Sequence, residues 1–182
     1  MSRSRRYTKD YGFVWLDYGG KVHREDGPAI EKENGAKEWY INGKLHRLDG
    51  PAVDWGDGNE EWFYQGERHR LDGPAIKRKN GDEYWYKNDK LHRLDGPAIK
   101  LNTGDGAWYC DGLLHRLDGP AVSNLATKEW WIAGKRHRLD GPAIICYNGD
   151  LEWFIDDIQY SKEEWFDKIS KENKIAYLFN ME

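Results

Sequence analysis

Every one of the six histidines and six prolines in this chain falls inside a single recurring octapeptide. The copies begin at His23, His46, His69, His92, His115 and His137, and five of the six read His-Arg-Leu-Asp-Gly-Pro-Ala-Ile/Val. An imidazole beside a guanidinium can cradle a phosphate, and the Trp and Tyr residues between copies can stack a base. The ladder His46, Arg47, His69, Arg70, His92, Arg93, His115 and Arg116 is therefore one candidate site, for a nucleotide or another polyanion. A structural reading competes with it. The imidazole can hydrogen-bond a loop carbonyl, Arg can pair with Asp within or between copies, and Asp before Gly-Pro can support a turn. Arg and Asp also cancel in charge. Residues that define a repeat serve stacking in every copy at once, which favours the structural reading.

Catalysis has less to recommend it. An enzyme needs a nucleophile, acid, base or metal converging on one place, and here each His is one of six equivalents. No Ser-His-Asp constellation, phosphate loop or paired-carboxylate site stands out, so neither an enzyme nor a cofactor is expected. Cys110 and Cys146 occupy different positions of the repeat and lack zinc-ligand spacing, so no metal site is expected and both read as reduced thiols.

Composition narrows the class further. A net charge of −4 over 182 residues argues against a general nucleic-acid coat. No apolar run approaches the roughly 18 residues of a membrane span, and the N-terminus shows no secretory h-region. A cytoplasmic protein is the expectation. Ten Trp and eleven Tyr sit in a chain that is one-third charged, so aromatics must supply much of the buried area.

The histidines are spaced 23, 23, 23, 23 and 22 residues apart. A period of this length signals a repeat array. After Pro-Ala-Ile/Val come a few polar residues and then Asn34-Gly35, Asp57-Gly58, Asn80-Gly81, Thr103-Gly104 or Asn148-Gly149. Asn-Gly and Asp-Gly favour the two-residue type I′ hairpin. A strand with paired aromatics follows: Trp39-Tyr40, Trp62-Phe63, Trp85-Tyr86, Trp108-Tyr109, Trp130-Trp131 and Trp153-Phe154. Folding each hairpin about its turn places Ile30 opposite Trp39, Val53 opposite Trp62, Ile76 opposite Trp85, Ile99 opposite Trp108 and Ile144 opposite Trp153. The second aromatic then faces Ala, as Tyr40 faces Ala29. In the 22-residue copy a three-residue loop, Leu125-Ala126-Thr127, keeps Val122 opposite Trp130. A second turn fits Asn42-Gly43, Gln65-Gly66, Asn88-Asp89, Asp111-Gly112 and Ala133-Gly134. The predicted architecture is all-β: an elongated, single-layer antiparallel β-hairpin array of six repeats over residues 11–160, advancing roughly 10 Å per copy.

The ends depart from the pattern. Residues 1–10, with Arg3, Arg5, Arg6 and Lys9, read as a basic disordered tail, with a nucleic-acid arm as the alternative. Tyr160 stands where His is due, and Ser161 to Glu164 is a capping-box signature. Residues 161–182 are expected to form a helical cap, with a helix over 162 to about 172 that covers the open end. The apolar stretch Ile175 to Phe179 packs there or serves as a partner-binding peptide.

The unit Trp39 to Ala52, Trp-Tyr-x-Asn-Gly-Lys-Leu-His-Arg-Leu-Asp-Gly-Pro-Ala, resembles repeats in proteins of tailed bacteriophages and large viruses. More distantly it is similar to the MORN repeat, with Arg-Leu-Asp-Gly in place of a shorter Gly-x-Gly. The resemblance covers about residues 13 to 160. It implies a β-hairpin ribbon with a binding or scaffolding role and names no partner.

Repeat arrays present long surfaces suited to protein binding. Specificity can reside where copies differ, which singles out Trp55, Trp131, Tyr147, Lys87, Leu101 and Leu125. The first expectation is thus a non-enzymatic scaffold for a partner protein. The phage resemblance points, by analogy, to a host protein such as one of antiviral defence. A nucleotide or signalling-molecule binder that uses the His-Arg ladder is the alternative, and exposed strand edges allow a homodimer.

Overall fold

The computed structural model describes residues 4–8 and 12–179. The described residues are all-β apart from two short helices near the C-terminal end. It divides into two compact units, Met1–Leu91 and His92–Glu182.

In the first unit, β1 (Ser4–Thr8) and β2 (Gly12–Leu16) form a hairpin. Next come β3 (Ile30–Glu31), β4 (Lys37–Glu38), β5 (Tyr40–Ile41), β6 (Lys44–Leu45), β7 (Val53–Asp54) and β8 (Glu60–Glu61). The sheet runs β1-β2-β3-β4-β7-β8 and continues through Ile76–Lys77 and Glu83–Tyr84, every pairing antiparallel. β5 and β6 leave this sheet and form a separate two-stranded hairpin. Each copy therefore contributes two short strands to a sheet and two to a small side hairpin. The second unit repeats the scheme from Ile99–Lys100 to Ile158–Tyr160. Ser4–Thr8 supplies a strand where a disordered tail was expected; Met1 to Arg3 and Lys9 to Tyr11, including Arg3 and Lys9, lie outside the described residues.

The tryptophan marks where the strand changes sheets. Trp39 lies between β4 and β5, its amide donating to Ala52 O at 2.8 Å and its carbonyl accepting from the His46 amide at 2.9 Å. Trp62, Trp108 and Trp130 make the same pair of bonds.

The register differs from the sequence expectation by one residue. Ile30 lies opposite Glu38, Val53 opposite Glu61, Ile76 opposite Tyr84, Ile99 opposite Ala107, Val122 opposite Glu129 and Ile144 opposite Glu152. Tyr40, expected to face Ala29, pairs instead with Leu45. The cause is the first turn. Gly35 has φ +88° while Asn34 keeps a negative φ, and Gly35 N–H donates to Lys32 O. This is a type I turn followed by a left-handed bulge residue, a three-residue loop. The Asn34 side chain accepts the Ala36 amide at 3.1 Å, and Asp57, Asn80 and Asn148 accept their i+2 amides likewise. That local bond favours the right-handed conformation and leaves only Gly at positive φ. In the 22-residue copy Asn124 pairs with Thr127 about a two-residue loop, one residue shorter than expected. The one-residue loss is absorbed in the loop and the register persists. The type I′ geometry occurs at the second turn, where both Asn42 (φ 53°) and Gly43 (φ 80°) are left-handed.

The core is not built on indole against Ile. Among the described residues of the repeats, Ala29, Ala52 and Ala75 of the first unit and Ala98, Ala121 and Ala143 of the second are fully buried, each at 0 % exposure; Val53, Ile76 and Phe63 are buried in the first unit. Each of these methyls is wholly covered by the surrounding structure. The C-terminal cap comprises α1 (Lys162–Lys168) and α2 (Lys171–Phe179), with an extended break at Ile169 where one helix to about 172 was expected. Ser161 and Glu164 form the reciprocal capping box. Trp165, Ile169 and Tyr177 are buried against Trp153, and Leu139, Ile155, Tyr160 and Phe166 surround them. Ile175, Leu178 and Phe179 stay exposed.

Ala75→Val is expected to lower stability by about 1–3 kcal/mol through overpacking. Urea unfolding followed by tryptophan fluorescence measures it.

Candidate functional site

The His-Arg-Leu-Asp-Gly-Pro segment forms a loop wound around its own arginine. The Arg47 guanidinium lies 4.1 Å above the Trp39 ring. Its Nε donates to Asp49 Oδ1 at 2.8 Å and Nη1 to Pro51 O at 3.3 Å. The same three contacts recur at Arg24, Arg70, Arg116 and Arg138, with ring distances from 3.8 to 4.2 Å. Arg93 makes the Asp95 and Pro97 bonds too. A planar, delocalised cation suits this position because it stacks on an aromatic face while its edge donates hydrogen bonds. The glycine of the motif is fixed by the same group. A Cβ at Gly50 or Gly73 would lie 2.9 or 3.0 Å from the Arg Cζ, and Gly27, Gly96, Gly119 and Gly141 face the same obstruction.

Histidine acts between copies. His46 Nδ1 accepts the Gln65 amide at 3.1 Å, and His23, His92 and His115 accept from Asn42, Asp111 and Ala133. Each accepted amide belongs to the first left-handed residue of the next type I′ turn. The following turn amide donates to a carbonyl of the preceding copy, as Gly66 N–H does to Leu45 O. The two positive-φ residues thus aim consecutive amides at the copy before. The Arg47 amide adds a bond to Phe63 O at 3.2 Å. In the ladder proposed from sequence, then, each described His-Arg pair ties neighbouring copies together, and the guanidinium edges face Asp and Pro.

The leucine of the motif has no such task. Leu48 and Leu71 in the first unit, and Leu94 and Leu117 in the second, are 77 to 81 % exposed. The loop wound around the arginine turns each one outward. Sequence reading passed over these residues because a motif leucine resembles core. The signal that could have found them is Glu25, a charged residue at the same position of the first copy. Beneath Leu48 and Leu71 lies a groove of about 770 Å³ that also contains Trp62, Tyr64 and His69. The Tyr64 ring sits 5.0 Å from that of His46 and 6.0 Å from that of His69.

Within each unit the varying residues are divided between first-turn loops and side hairpins. Trp55 is in a first-turn loop of the first unit, with Lys32 Nζ 5.5 Å from its ring. Leu101, Leu125 and Tyr147 occupy first-turn loops of successive copies in the second unit, where the Tyr147 amide donates to Ala126 O. Leu125 and Tyr147 are exposed and Leu101 is half-buried. Lys87 and Trp131 lie on side hairpins, Trp131 Nε1 donating to Glu129.

His92, Cys110 and Asp111 bring three metal-ligating atoms within 4.8 Å of one another. The His–Asp part recurs at His137 and Asp156, 2.9 Å apart, where Ile155 replaces the thiol. His92 Nδ1 accepts the Asp111 amide, so that nitrogen is already engaged in the bond between copies. Cys110 and Cys146 are free thiols. No helix among the described residues is long and apolar enough to cross a membrane. No protein-family model matches the chain, and no curated protein matches it.

Gly73→Ala is expected to destabilise by about 1–3 kcal/mol by pushing Arg70 off Trp62. In an Arg70→Ala background the same change should cost about 0.5 kcal/mol or less, a coupling that a double-mutant cycle in urea reads directly.

Arg47, Arg70, Arg93 and Arg116, first by hydrogen bond and then by charge, hold Asp49, Asp72, Asp95 and Asp118 below the ordinary carboxylate value of 3.8. A depressed folded-state pKa gives stability that is present above the unfolded value and is lost as pH falls through the lower folded one. The thermal midpoint is therefore expected to fall with acid from about pH 4 downward. Asp49→Asn with Asp72→Asn should make that fall shallower in a pH series of melting curves.

Proposed function

We propose that this protein is a non-enzymatic scaffold whose loops grip a partner protein. One observation carries the reading: Leu48, Leu71, Leu94 and Leu117 stand almost fully exposed on loops whose other side chains are committed to holding the loop rigid. An apolar side chain held outward without a structural task is what an interface uses, and a rigid loop loses little entropy on binding. The outward-facing carboxylates of Asp49, Asp72, Asp95 and Asp118 beside them supply a polar rim. The phage and viral resemblance of the repeat supports a host-cell protein, such as a component of antiviral defence in the cytoplasm, as that partner.

The nucleotide-binding alternative draws less support. It needs guanidinium edges free for phosphate, and the Nε and Nη1 donors of Arg47, Arg70, Arg93 and Arg116 meet Asp and Pro oxygens.

Changing Leu48, Leu71, Leu94 and Leu117 to Ser is expected to cost no more than about 0.5 kcal/mol per site, since exposed positions tolerate substitution. The variant should melt near the parent and lose a partner that the parent retains stoichiometrically from infected-cell extract. Retention by the folded variant, or no stoichiometric partner for the parent, overturns the reading.

A further inference from the structure

The C-terminal cap packs on the last loop of the repeats. At the end of the repeats Tyr160 stands in the histidine position and Ser161 in the arginine position, so the repeat offers no guanidinium to Trp153. Trp165 of α1 takes its place, with ring centroids 4.5 Å apart, and its Nε1 donates to Arg138 O at 2.9 Å. Tyr177 of α2 closes edge-on against both indoles, at 5.6 and 5.4 Å. The cap does more than replace an arginine. Leu139 is half-buried beneath it, whereas Leu48 and Leu71 are about 80 % exposed although further loops follow them.

The groove between the Leu48 and Leu71 loops is built on the same ground. Leu48, Trp62, Tyr64 and His69 correspond, each 91 residues further on, to Leu139, Trp153, Ile155 and Tyr160. Those four residues are the ones the cap packs against. The groove is open here, about 770 Å³, and Asp49 and Asp72 flank it with carboxylates turned to solvent. Arg70 already covers the Trp62 face, so an incoming indole would pack on the two leucines and Tyr64. The counterpart of the carbonyl that receives the Trp165 indole is Arg47 O.

We propose that this groove docks an amphipathic helix of the partner protein. That helix presents a tryptophan, an aliphatic residue four positions on in the manner of Trp165 and Ile169, and flanking Lys or Arg for the two carboxylates. The proposal rests on the protein-binding reading and gives the partner its chemistry. Helix-in-groove recognition reads such i, i+4 anchors, and an indole is among the strongest single anchors of an interface.

The test adds a fluorescein-labelled peptide of residues 161–179 to the full chain and follows anisotropy. Saturable binding with a Kd on the order of 10 µM or tighter is expected. Trp165→Ala in the peptide, or Leu48→Asp with Leu71→Asp in the protein, should weaken it by about tenfold or more. No saturable binding overturns the proposal. So does binding unchanged by the leucine substitutions, because the peptide is then exchanging with the chain's own cap. Self-association of the parent chain that the same substitutions abolish assigns the groove to a second copy and also overturns it. If the leucine-to-serine variant loses its captured partner while the peptide fails to bind, scaffolding stands and the helix assignment falls. If neither ligand binds, both fall.

Discussion

One guanidinium, placed between an indole and a glycine, organises the His-Arg-Leu-Asp-Gly-Pro loop of this protein. Arg47 stacks on Trp39, ties Asp49 and the Pro51 carbonyl, and occupies the space that a side chain at Gly50 would need. Five residue types of the motif are explained by that single contact: Arg as the planar cation, Trp as its platform, Asp as its counter-ion, Gly as the vacancy it fills, and Pro as a carbonyl on a stiffened backbone. An Arg–Asp pair at a fully exposed site contributes little. Here one face of the cation is on an aromatic ring and its Nε and Nη1 donate to Asp49 and the Pro51 carbonyl, so the pair sets a shape. Histidine then carries that shape from copy to copy by accepting the amide of the next left-handed turn residue.

This division of labour explains an unusual core. Branched aliphatics are few, and the fully buried residues of the sheet are alanines. A repeated set of hydrogen bonds accompanies this thin apolar layer, and guanidinium groups cover the half-buried rings of Trp15, Trp39, Trp62, Trp108 and Trp130. The cap obeys the same rule at the end of the series. Where the repeat offers Ser161 in place of Arg, Trp165 covers the last indole of the repeats.

The repeat, the all-β class, the second turn and the capping box at Ser161 were legible because each depends on nearest-neighbour chemistry. The hairpin register was legible only to within one residue. Asn-Gly can close either a two-residue type I′ loop or a three-residue loop with a glycine bulge. The choice here goes with an Asn34 side chain reaching the Ala36 amide, which residue identity alone does not announce. The same one-residue offset in all six copies shows that the periodic logic was sound and its origin misplaced. The exposed leucines were not legible at all, since an apolar residue that recurs in a motif reads as core until its surroundings are known.

What the sequence by itself determined is therefore the unit: its length, its turns, its strand chemistry and the demand for glycine beside arginine, all interactions within about ten positions along the chain. What only the tertiary structure decided is how units address one another and the solvent. Histidine meets an amide 18 or 19 residues away, Trp165 finds an indole and a carbonyl 12 and 27 positions earlier, and leucine is turned outward by a loop wound round a different side chain. Those outcomes depend on the direction in which a side chain leaves a folded backbone. Direction is set by φ and ψ and by packing, not by residue type.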